Sequence, residues 1–176
     1  PDSLPHDIEH YIGAFTVGDA GGAAVLGPCD PSKGIQAIHS DSDTRYYDLC
    51  YCNEAAIDTD PGRMIMDKLS GVTIRRVRQM IPDVLEASDL SYEHIDLLVT
   101  HQVGIPALDR TIEGAQVDPS IALNIVSEHG NLTTASTIVQ WDKLVKSRRL
   151  ISGADQKVLM VSTASGLSVY EFVYIT

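Results

Sequence analysis

Cysteine is scarce in this sequence: Cys29, Cys50 and Cys52 are the only three in 176 residues. An odd, unevenly spaced set makes no disulfide framework. Cys50 and Cys52 form a C-x-C pair without the second pair that a zinc site needs. A reduced, cytoplasmic chain is expected. Long apolar runs are also lacking, and none approaches the ~20 residues of a membrane span. The opening PDSLPHDIEH is polar and has no secretory leader pattern. Cations are few, with 13 Lys and Arg against 24 Asp and Glu, for a net charge of -11. Such a surface repels phosphate backbones, so neither nucleic acid nor membrane is an expected partner. The stretch GDAGG at 18–22 lacks both G-x-G-x-x-G and Walker spacing. It reads as close backbone packing rather than a phosphate loop. No metal site is read from the histidines.

What is present supports one core. Apolar residues make up 44% of the chain, and a chain this long buries roughly 70% of its surface. A single domain over 1–176 is expected. YIGAFTVGDAGGAAVLGPCD and GIQAIHSDSD read as strands, and 41–62 as a polar excursion. Met64, Ile65, Leu69, Ile74, Val77, Ile81, Val84 and Leu85 recur at helical steps. Pro82 should break that helix near Met80. HIDLLVTHQ and IALNIV read as short buried strands. IPALDRTIEGA reads as a helix with Pro106 in its first turn. TTASTIVQWDKLVKSRRL reads as a helix with cations at its favourable end. KVLMVSTASG and LSVYEFVYIT close the chain as an antiparallel pair around Gly166. Alternating strands and helices give an α/β class, a mixed sheet with helices on both faces.

Two residues stand out. His101 ends a strand, where ligands of α/β sheets gather. Asn131 sits on a glycine turn one αβ unit later. A histidine at a strand end is more often structural, and an Asn before a helix is more often a cap. Together they suggest one pocket. Arg75, Arg76 and Arg78 form a small basic patch, which reads first as a solvated helix face. None of the three cysteines reads as a nucleophile.

IDLLVTHQ, then HGNLTTAS about thirty residues later, then KVLMVSTASGLS, give an order that resembles the C-terminal half of β-ketoacyl-acyl-carrier-protein synthase III-like condensing enzymes. VGDAGGAAVL resembles the glycine-rich strand that opens this half. IPDVLEASDLSYEHID resembles the helix that leads to the histidine strand. The resemblance implies a thiolase-like half with a five-stranded mixed sheet layered with helices. It implies His101 and Asn131 as catalytic residues, with Gln102, Gly130 and Gly166 binding substrate. The nucleophilic cysteine of that family lies in an N-terminal half, absent from this chain and supplied as a segment or a separate chain. Thr133 or Thr134 would then cap the helix in place of Asn131.

The implied activity is decarboxylative Claisen condensation, with His101 and Asn131 steadying the enolate. Acyl transfer to an alcohol or amine, or a non-catalytic partner subunit, are the alternatives. No cofactor is implied, only a coenzyme A or acyl-carrier-protein thioester as substrate. The complete enzyme should be a homodimer, and the half alone should expose an apolar face. Gln102-Val103-Gly104 stands where the family usually has Gln-Ala-Asn, and Ile105-Pro106 where a docking cation is common. STASGLS keeps Gly166 but fewer glycines. These departures fit a specialised relative, from secondary metabolism for instance.

Overall fold

A computed structural model describes residues 16–52 and 62–176. The polar lead-in, with His6 and His10 four positions apart, lies outside them, as does the middle of the 41–62 excursion. Four strands form the main sheet: β1 (Gly34–Ser42), β4 (Leu97–Thr100), β5 (Lys157–Ala164) and β6 (Ser168–Ile175), in the order β1-β6-β5-β4. β4 and β5 run parallel, and the other two pairings are antiparallel. The sheet is therefore mixed, as read from the sequence. β2 (Cys50–Cys52) and β3 (Gly62–Met64) make a separate two-stranded ribbon. The expected excursion thus carries structure of its own.

Helices cover both faces of the sheet. α1 (Met66–Ala87) and α2 (Ile105–Ala115) pack one face through Val77, Ile81, Val84, Leu108 and Ile112, against Leu98, Leu159 and Val173. α4 (Ala135–Lys146) covers β4 and β5 on the other face through Leu144, with Trp141 edge-on to Tyr174 at 5.0 Å. Leu97–Thr100 is buried throughout because it lies between both layers. Such double burial is why it reads as a continuous apolar run.

Three expectations need correction. α1 does not break near Met80 but continues through Pro82 to Ala87. An interior proline costs about 3 kcal/mol. Met80, Ile81, Val84 and Leu85 are all buried around it, and each contributes roughly 1.5–3 kcal/mol. IALNIV forms no ladder. It touches β4 at one parallel bridge, Leu98 to Ala122, and then turns into α3 (Val126–His129). This bridged segment occupies the fifth position beside four laddered strands. Gln102 explains the missing ladder, because its carboxamide takes Leu123 O, Ile125 N and Val126 N in place of a strand. Lastly, the described part of the glycine-rich stretch pairs only at Val17, with Asn131.

Candidate active site

His101 follows the last residue of β4, its N–H held by Val161 O at 3.0 Å. Asn131 is held by a different device. Its N–H donates to Thr16 O at 2.7 Å, and its carbonyl accepts from Gly18 N at 3.0 Å. Two backbones must nearly touch for this to happen. A Cβ on Gly18 would lie 2.1 Å from His129 O, and one on Gly130 2.7 Å from Thr16 O. Gly130 also needs its φ of +70°, a conformation glycine takes freely. The close packing read from GDAGG is thus real, and it positions Asn131.

Both side chains line one cavity of about 350 Å³. Leu69 and Ile74 of α1, Val103, Ala107 and Thr111 from α2 and the turn before it, and Thr163–Ser165 complete its walls. The exposed lining surface is mostly apolar, as in ligand sites, and His101 and Asn131 share it with several serine and threonine side chains.

The hydrogen bonds of the pair define what each presents. His101 Nδ1 lies 2.9 Å from Thr133 O and 3.0 Å from Ser136 Oγ. A carbonyl oxygen only accepts, so Nδ1 carries the hydrogen and the neutral ring has a lone pair at Nε2. Burial holds the imidazole below its ordinary pKa, against the opposing pull of the Thr133 carbonyl. Asn131 Oδ1 accepts from Thr133 N at 2.9 Å. Its amide nitrogen has no protein acceptor among the described residues. Asn131 therefore acts both as a turn-capping acceptor and as a lining amide donor. The expected threonine cap is not formed: Thr134, at the N-cap of α4, makes no side-chain cap bond.

The other three residues stand apart from the cavity. Gln102 is fully buried, and its amide is committed to 123–126. Gly130 supports its neighbour Asn131. Gly166, with φ +96°, makes the β5–β6 turn beside Ser165. Arg76 is clamped by Asp41 and Asp43, and Arg78 pairs with Glu113, so these two arginines of the patch are internally paired.

Cys50 was missed as a lining residue. The ribbon brings it to the cavity wall, where burial pushes its thiol up and Ser165 opposes. Leu69 and Ile74 were read only as part of the apolar helical pattern. Their only distinguishing mark is half-burial, which sequence periodicity does not carry.

No described helix is long and apolar enough to cross a membrane. Residues 85–174 match the family model for 3-oxoacyl-[acyl-carrier-protein (ACP)] synthase III C terminal. The β-ketoacyl-[acyl-carrier-protein] synthase III of Methylococcus capsulatus is 29% identical over 157 residues, covering 86% of this chain and 48% of that protein. The Wolbachia pipientis enzyme of the same name is 24% identical over 164 residues, covering 92% and 51%. The chain thus spans about half the length of the curated relatives it matches. In fold it is similar to the Aquifex aeolicus 3-oxoacyl-[acyl-carrier-protein] synthase III, with a TM-score of 0.76 at 17% identity over 85% of this chain and 46% of that one. An OleA variant of Xanthomonas campestris gives a TM-score of 0.79 at 19% identity, over 100% and 51%. With an α/β layered sheet of this thiolase-like kind and a family match that spans β4, β5, β6, His101 and Asn131, the chain belongs to the 3-oxoacyl-[acyl-carrier-protein] synthase III C-terminal family.

Proposed function

We propose that this chain supplies half of an acyl-thioester condensing site, completed by a nucleophilic cysteine from an N-terminal half. The convergence of His101 and Asn131 on one apolar cavity carries the reading. In the reaction the cysteine thiolate takes an acyl group from a thioester and releases the carrier thiolate. A malonyl thioester then loses carbon dioxide. The electron pair of the broken C–C bond passes into an enolate, which attacks the acyl-cysteine carbonyl and expels the thiolate. Asn131 donates its amide N–H to the enolate oxygen. His101 donates there when Nε2 also carries a proton, as imidazolium. A donor aimed at a developing oxyanion is typically worth about 3 kcal/mol. The proposed substrate is a coenzyme A or acyl-carrier-protein thioester, and the proposed reaction uses no cofactor.

The sister half has a face to pack on. Ile38 of β1 and Tyr170 of β6 share the sheet face that α4 leaves uncovered, 62% and 48% exposed. The half-length match to the relatives supports the same partner, and the completed enzyme is proposed to be a homodimer. No N-terminal half binding during co-purification would count against this assembly.

One observation favours a second reaction, acyl transfer to an alcohol or amine. The neutral ring holds its Nε2 lone pair free of any protein donor among the described residues, as a general base requires. The acceptor's proton would move to Nε2 while its heteroatom attacks the thioester carbonyl and the thiolate leaves. The assay is the completed protein with malonyl and acyl thioesters. Stoichiometric carbon dioxide release supports condensation. Acyl transfer without it supports the second reaction, and inertness to both overturns the site.

A further inference from the structure

Gln140 of α4 is fully buried and commits its whole carboxamide to the end of β4. Oε1 accepts from Thr100 N at 3.2 Å, and Nε2 donates to Thr100 O and to Ser136 O, the latter at 3.0 Å. Thr100 is the last residue of β4, on the edge where Leu98 bridges to Ala122. Among the described residues no strand stands beside Thr100 there. The Gln140 carboxamide substitutes for one, offering an acceptor and a donor to both backbone groups of a single residue.

The position invites an apolar side chain instead. Leu144, one turn further along the helix, fills the same layer with carbon, and a buried amide costs free energy unless it is fully bonded. The very next residue is His101. One turn before Gln140, Ser136 places its Oγ 3.0 Å from His101 Nδ1. α4 therefore grips the histidine at two points, the ring through Ser136 and the backbone of the preceding residue through Gln140.

We propose that Gln140 is a positioning residue for His101: its carboxamide locks the backbone of Thr100, the last residue of β4, onto α4, and so sets where the imidazole stands in the cavity. The inference rests on the reading of His101 as the reacting ring, but its test does not depend on which reaction occurs.

The test is 15N NMR of the His101 ring in the 176-residue chain, unchanged and with Gln140→Met, which keeps the volume and removes the bonds. Leu144→Ala is the control, since it weakens the same helix without touching His101. In the unchanged chain the ring should be held with its hydrogen on Nδ1. Gln140→Met should mix the tautomers and raise the titration midpoint by about half a pH unit or more, as the ring moves toward solvent. Leu144→Ala should lower stability and leave both readings in place. Equal behaviour of the two variants, whether both shift the ring or neither does, overturns the proposal. If Gln140→Met does not fold, amide exchange in the unchanged chain decides. Thr100 N–H must then exchange as slowly as Val99 N–H, and faster exchange overturns the clamp.

Discussion

The Nδ1 atom of His101 lies 2.9 Å from the carbonyl oxygen of Thr133. This one contact fixes which ring nitrogen reaches the cavity bare. It makes the imidazole a base in its neutral form and a donor only after protonation.

Because burial lowers the His101 pKa, the sign of its pH dependence follows. Below the ordinary histidine value of about 6.5 the unfolded chain binds the proton first, so acid weakens the fold. His101→Gln should therefore flatten the acid limb of a stability-against-pH curve measured by urea unfolding. If the completed enzyme runs the acyl-transfer reaction, loss of a base of this kind should lower its rate by about 10²–10⁴-fold. Base-dependent turnover should persist to lower pH than a free imidazole allows.

Asn131 holds a turn and, in the proposed reaction, donates to the oxyanion; two substitutions separate these roles. Asn131→Ala loses the bond to Thr133 N and should cost about 1 kcal/mol of stability. Asn131→Asp keeps an acceptor for Thr133 N, so urea unfolding should find it nearly as stable as the unchanged chain. Both should lower condensation by about 10²–10³-fold, because the amide donor is gone. An active Asn131→Asp would remove the amide from the mechanism.

Glu171 is fully buried, and neither carboxyl oxygen has a hydrogen-bond partner among the described residues. Burial first, and the charge of Asp83 second, push its pKa up to about 8. His39 stands opposite it on β1, and Tyr92 lies close enough to feel its charge. The unfolded value is about 4.3. Below that pH both states hold the proton and the stability is intact. As pH rises toward about 8 the unfolded chain releases the proton while the folded chain retains it, so stability falls across this window. Glu171→Gln should match the unchanged chain in thermal melts near pH 4 and exceed it near pH 8.

Gly18→Ala places a methyl 2.1 Å from the His129 carbonyl. That contact is with backbone and cannot be relieved by rotating a side chain. The substitution should cost about 1–3 kcal/mol in chemical unfolding. Gly21→Ala, which meets nothing within 4 Å, should be neutral in the same assay.

Much of this was legible beforehand. The helix faces of α1, α2 and α4 are written in three- and four-residue periodicity, and the buried runs of β4 and β5 in plain apolar composition. His101 and Asn131 were readable because strand ends and glycine turns are local features. IALNIV was misread because Gln102, some twenty residues away, satisfies its backbone. Pro82 was misread because core packing outweighs one lost helical bond. Cys50 reaches the cavity on a ribbon whose pairing depends on tertiary contacts. In each case a distant partner overrides a local preference.

The contact between Thr16–Gly18 and Asn131 also bears on the order in which the molecule assembles. It closes a loop across most of the described chain, and such closures come late because their entropy must be met before their contacts form. The sheet and its helices can be complete while the amide is still adrift. Trimming the glycine-rich segment should therefore leave a folded protein whose pocket never matures.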